Sequence, residues 1–117
     1  MNNEMEKRKI AIPLSQGIMA AHFGHCEQFA LFEIEDKSIA SKEVVNPPAH
    51  EPGVFPLWLK QQNVDDVIAG GMGQKAINLF LQNKINVYVG APQKEAEELV
   101  LDLLHDNLQA GENLCDH

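Results

Sequence analysis

Val64-Asp65-Asp66-Val67-Ile68-Ala69-Gly70-Gly71-Met72-Gly73-Gln74-Lys75-Ala76 is the stretch whose reading decides the fold. Its first six residues are a β-rich run. The glycines break it, and Ala76, Ile77, Leu79, Phe80 and Leu81 then supply an amphipathic helix. The unit is strand, glycine turn, helix, and with the strand that follows it predicts a helical crossover between parallel neighbours within a mixed sheet. The first turn of the helix also presents unpaired N–H groups and the positive end of its dipole, which favour an anion. A plain tight turn is the competing reading of the same glycines. There is neither a phosphate-loop Lys-Ser/Thr nor a full dinucleotide fingerprint, so no nucleotide is expected.

Outward from that unit, Ile85 to Val89 reads as the next strand, closed by Gly90-Ala91-Pro92. From Gln93 to Leu108, apolar residues at i, i+3, i+4 and i+7 predict a last helix, with Glu95, Glu98, Asp102 and Asp106 on its wet side. On the amino-terminal side, Phe55, Trp58, Leu59 and Gln62 predict a helix with Pro56 in its first turn. The loop Asn46 to Gly53 before it is proline-rich and carries His50. Three strands open the chain: Lys9 to Leu14, stopped near Pro13; Phe29 to Glu35; and Ile39 to Val45 after a turn at Asp36-Lys37-Ser38. The expectation is an α/β fold with a five-stranded mixed sheet of order 3-2-1-4-5 and three helices. Residues 9–110 would form the domain, with 1–8 and 111–117 as flexible tails.

In that order the carboxyl ends of strands one, three, four and five and the start of strand two share one edge. The edge collects His22 to Cys26, His50, Gly70 to Gly73 and Gly90 to Pro92. Strand order switches between strands one and four, where open α/β sheets place their ligands. The segment His22-Phe23-Gly24-His25-Cys26 brings three soft-metal ligands into five residues, with Gly24 able to take positive φ and let a bulky ligand approach. Solvated histidines around a small buried thiol are the bland alternative. The segment 16–21 is expected to be mobile without metal, as is the tail after Gly111, for want of large apolar anchors.

Seventeen acidic against nine basic residues give a formal charge of −8. Three of the bases are bunched at Lys7-Arg8-Lys9, and no basic stripe for nucleic acid can be assembled from the rest. No apolar run is long enough to cross a membrane and no signal peptide is recognisable, so neither a membrane nor a nucleic-acid partner is expected. A cytoplasmic location is. The two cysteines, Cys26 and Cys115, make no disulfide framework and stay open to ligation or redox chemistry.

With these pieces placed, the chain resembles the dinitrogenase iron–molybdenum cofactor-binding family, small ribonuclease-H-like domains of three layers that carry or insert metal clusters. The resemblance runs from Lys9 to Leu108. It rests on Ile10-Ala11-Ile12-Pro13, on His22-Phe23-Gly24 followed by Phe29, on Asn46 with Gly53, and above all on Val64 to Ala76, followed by Lys84-Ile85-Asn86-Val87-Tyr88. It implies a non-catalytic, nitrogen-fixation-related binder of an anionic iron–sulfur or iron–molybdenum type cluster, which receives or delivers that cluster through a partner protein. Phe23, Gly24, Gly71, Met72 and Gly73 are the expected cofactor contacts. His22, His25, Cys26 and His50 are the expected metal ligands, with Cys115 and His117 of the Cys115-Asp116-His117 ending, which looks like the Cys/His tails of some relatives. Three rivals stand beside this reading. A two-metal nuclease needs clustered carboxylates, and the first strand has none while Asp65 and Asp66 begin strand four at the far edge. A hydrolase would use Cys26 as nucleophile with His50 as base, since adjacent His25 points the other way on an extended chain. A regulatory domain without metal would bind a partner through the acidic last helix.

Overall fold

Strand β1, Lys7–Ser15, lies at the centre of the sheet and carries an unbroken buried run from Ile10 to Leu14. Both of its faces are covered, which is why its sequence does not alternate. The structure is a computed structural model that describes residues 7–49 and 53–108. Lys7 and Arg8, expected in the leading tail, are strand residues opposite Glu35 and Ile34. Pro13 does not stop the strand either, pairing with Phe29 inside the ladder. Its carbonyl accepts the Ala20 N–H on the side away from that ladder. A residue's N and O point the same way on an extended chain, so the missing N–H costs the ladder nothing.

Six strands form the sheet, not five. After Gln16 and Gly17, both at positive φ, the chain folds back as β2, Ile18–Met19, against Leu14 and Ser15. The far side of this tight turn holds only two residues, too few to show a strand pattern, which is why it escapes a sequence reading. Strands β3, Gln28–Glu35, and β4, Ser38–Val45, form the expected hairpin about Asp36 and Lys37, again both left-handed. Two left-handed residues give the turn that matches the strands' twist. Then come α1, Val54–Gln61; β5, Asp66–Ile68; α2, Gln74–Gln82; β6, Asn86–Tyr88; and α3, Ala96–Leu104. The order β4-β3-β1-β5-β6, with β5 parallel to both β1 and β6, is the order expected for the five longer strands.

Helices cover both faces of the sheet. Phe55 and Leu59 of α1 and Ile77 and Phe80 of α2 pack with Ala11, Leu31, Val67 and Val87 on one face. Leu99, Val100 and Leu104 of α3 pack with Ile10, Ile12, Phe32 and Ile68 on the other. Helix α3 is shorter than the apolar spacing from Gln93 to Leu108 suggests. Glu95 at its start is extended, and Asp106 at φ 60° turns the chain out just past its end. At the amino edge Asp66, 1% exposed, accepts Arg8 Nε at 2.6 Å and Asn86 Nδ2 at 3.0 Å. Its carboxylate is spent on tying β1, β5 and β6 together. Among the described residues no helix is long and apolar enough to cross a membrane.

Candidate functional site

Each helix follows a strand that ends at the same sheet edge, so all three amino termini lie there. Gly53 precedes α1 and Gly73 precedes α2; neither helix has a side-chain cap or an acid in its first turn. Helix α3 carries Glu97 and Glu98 in its first turn. Among the described residues, the amino termini of α1 and α2 thus carry no first-turn acid to offset their positive ends, whereas that of α3 does.

Onto that face comes the segment 22–26. Phe23 is 5% exposed and its ring is a plug between the two helices. Its centroid lies 5.6 Å from Phe55 and 5.4 Å from Phe80, both edge-on, and 6.0 Å from Phe29. Phe23, expected to touch cargo, is thus a core residue that anchors its neighbours. Phe23, Gly24 and His25 form a 3-10 turn, and Gly24 does not take the positive φ expected of it. A tightly wound turn needs no left-handed residue.

His22 forms a parallel bridge with Gly71. The Gly71 N–H donates to the Ala21 carbonyl at 2.7 Å, and the Phe23 N–H donates to the Gly71 carbonyl at 2.8 Å. The crevice expected between β1 and β5 is bridged by this crossing, so a ligand here would sit on the rim. Gly71, expected to offer its amide, has already used it. Gly70 makes the crossing feasible, since a Cβ there would stand 2.6 Å from the Ala21 carbonyl oxygen. Around Gly73 nothing lies within 4 Å of such an atom, so the start of α2 is open. Met72 is half-buried against the α1/α2 core.

The segment 16–21 is held more firmly than its composition suggests. Met19 is fully buried, its N–H donates to the Lys94 carbonyl, and its own carbonyl accepts Gln93 Nε2 at 3.2 Å. These anchors come from a loop more than seventy residues away, which no local pattern signals.

Cys26 is half-buried beside the same core. Burial pushes its thiol up to about 11; Glu27 adds to this and the residue's own amide opposes it. The free thiol is therefore neutral near pH 7. Because the folded pKa lies above the ordinary 9.0, Cys26's contribution to stability is complete below about pH 9 and is lost as pH rises toward 11. With Cys115→Ser removing the other thiol, iodoacetamide at pH 8 is expected to alkylate native Cys26 about 10-fold or more slowly than the urea-unfolded chain. Equal rates would mean that the thiol is not shielded.

His22 and Cys26 are thus brought to one short segment on the rim. The imidazole of His25, together with His50, Cys115 and His117, falls outside the described residues. Among the described residues no three His, Cys, Asp or Glu side chains converge as a metal site. The shallow pocket of about 290 Å³ lined by Lys7, Arg8, Lys9, Glu33 and Asp65 opens at the opposite edge. Ala21 and Gln93 are the residues that sequence reasoning missed here; Gly70 was placed at this edge, but only the doubled glycine hinted at its close backbone approach.

Comparison with known proteins agrees with this architecture. An uncharacterized protein of Methanocaldococcus jannaschii is 35% identical over 85 residues, which are 68% of this chain and 72% of that protein. The crystal structure of PH0822 superposes with a TM-score of 0.81 at 26% identity, covering 87% of this chain and 93% of that one. The apo form of the orange protein from Desulfovibrio gigas shares the fold, with a TM-score of 0.71 at 18% identity over 89% of this chain and 92% of its own. The dinitrogenase iron-molybdenum cofactor family matches residues 6–106. A match over nearly the whole described fold, including the segment 22–26 and the glycine turn, places this chain in the dinitrogenase iron-molybdenum cofactor family.

Proposed function

We propose that the protein is a small non-catalytic carrier that holds an anionic iron–sulfur or iron–molybdenum type cluster on the rim of its sheet, receiving it from or passing it to a partner protein in the cytoplasm. The observation that carries this reading is the His22–Gly71 bridge, which holds the ligand-bearing segment at the open start of α2. Soft donors at His22 and Cys26, joined by His25, His50 and the Cys115/His117 tail, suit iron. The amides of Gly73 and the first turn of α2 suit the anion's charge. A rim site with few ligands suits cargo that must leave again. The layers are read as a ribonuclease-H-like scaffold, and the nuclease rival loses support because Asp66, at the amino edge, is tied to Arg8.

Two further rivals lose support. A thiol raised to about 11 is a poor nucleophile, which disfavours the hydrolase. The acidic last helix is partly neutralised, with Lys42 Nζ on Glu97 at 2.6 Å and Lys94 Nζ on Asp102 at 2.7 Å, which disfavours it as a docking face for a basic partner.

Ligation requires the Cys26 proton to leave, so cluster retention is expected to weaken as pH falls. The test is anaerobic reconstitution with ferrous iron and sulfide, followed by gel filtration and iron analysis. Wild type is expected to elute with an absorbing cluster, and Cys26→Ser and His22→Ala to lose most of it. Equal retention in all three would move the cluster elsewhere. A wild type that elutes without iron would favour a regulatory domain.

A further inference from the structure

We infer that the three loops at the rim form one cooperative closure over the crevice between β1 and β5, opening together rather than singly, with the Gln93 side chain as its latch. The segment 19–23 is bonded to both of the other loops. On one side the Met19 N–H donates to the Lys94 carbonyl at 3.3 Å, and Gln93 Nε2 donates to the Met19 carbonyl at 3.2 Å. On the other side the Gly71 N–H donates to the Ala21 carbonyl, and the Phe23 N–H to the Gly71 carbonyl. The turn 69–71 and the loop 90–94 are bonded to each other in turn. The Gly90 N–H donates to the Gly70 carbonyl at 2.8 Å and the Ala91 N–H to the Ala69 carbonyl at 3.1 Å. These bonds close a ring.

Burial makes the ring act as one body. Met19 is fully buried in the core under α3, whereas Phe23, 5% exposed, is buried in the core under α1 and α2. The short segment between them therefore passes from one face of the sheet to the other at the switch in strand order. Midway, the Ala20 N–H donates to the Pro13 carbonyl at 2.8 Å and ties the crossing to β1. Lifting either end of the segment draws on the other, and lifting it at all breaks bonds to both neighbouring loops. Uncovering the crevice is then a single opening equilibrium and not the separate fraying of three loops. Gln93 differs from the other members of the ring, because it is exposed and contributes through its side chain. Its bond can be removed without touching the main chain or emptying a core. The inference stands on the loops alone and holds whether or not cargo binds at the rim.

Native-state hydrogen exchange read by NMR tests this. In the wild type the amides of Met19, Phe23, Gly71 and Gly90 should report one common opening, easier than that of the hydrogen-bonded amides in the β1–β3 ladder. In Gln93→Ala the Met19 carbonyl loses its side-chain donor. All four amides should then exchange faster by the same factor, about 2- to 12-fold, which is what one hydrogen bond of ordinary net worth supplies. Gly71 and Phe23 are the decisive probes, since neither is bonded to Gln93 or to its loop. Acceleration confined to Met19 overturns the proposal. So do four amides with unlike opening free energies in the wild type, or four that open only when the ladder does.

Discussion

Phe23→Ala is expected to lower the unfolding free energy by about 3–5 kcal/mol, the range for truncating a well-packed aromatic residue. The ring is 5% exposed and sits between α1, α2 and β3, within 6.0 Å of three other rings. Two costs add: the apolar surface no longer removed from water, and a cavity that helices held by their own packing cannot close. The two lost edge-to-face contacts, about 0.5–1.5 kcal/mol per pair, are part of that total and place it toward the upper end of the range. Urea unfolding should show a lower midpoint with an unchanged slope. Small domains are stable by only about 5–15 kcal/mol, so Phe23→Leu is the companion variant, expected to keep more of the packing and to unfold between the two. A cost below about 1 kcal/mol for alanine would mean that the segment 22–26 is not pinned to the core, and the site geometry would fall with it.

The second large effect is expected at Gly70. Gly70→Ala should cost about 1–3 kcal/mol, as overpacking does, because its Cβ would meet the Ala21 carbonyl oxygen at 2.6 Å. Neither side can yield cheaply. Ala21 accepts the Gly71 N–H at 2.7 Å, and Gly70's own carbonyl accepts the Gly90 N–H at 2.8 Å. Relief means opening the bridge that holds His22, so protection of the Gly71 and Phe23 amides from hydrogen exchange should fall along with stability. Gly73→Ala, three residues on, is the contrast. Nothing lies within 4 Å of its Cβ position and its φ is −70°. There the lost preference for glycine at a helix start and the reduced freedom of the unfolded chain offset each other, and stability should stay within about 0.5 kcal/mol. Equal effects at the two glycines would show that the close crossing does not constrain the fold.

Both expectations concern the same few residues, and they mark where a sequence reading stops. The run Val64 to Ala69, the glycine turn and the helix after it were legible because strand and helix periodicities are local. So was the hairpin at Asp36-Lys37. The strand order followed from handedness and short connections, which leave few alternatives once the elements are known. Pro13 misled, because whether a proline breaks a strand depends on which side its nitrogen faces. The histidines and Cys26 could be named as candidates from their chemistry alone, but Phe23 could not be told from a cargo contact, since a ring in a loop carries no sign of what it packs against.

By itself the sequence determined the succession of elements, the order of the five longer strands and the edge to which the loop 22–26 belongs. These depend on patterns repeating within a few residues and on rules of connection that hold for any chain. Tertiary structure alone decided that β2 exists, that Met19 is anchored by Gln93 and Lys94, that Phe23 plugs the core, and that Gly71 lies beneath His22 with its amide already spent. Each of these is a contact between segments far apart in the chain, where tenths of an ångström separate a bond from a clash. No residue carries that distance in its identity; it is set when the packed core draws the segments together.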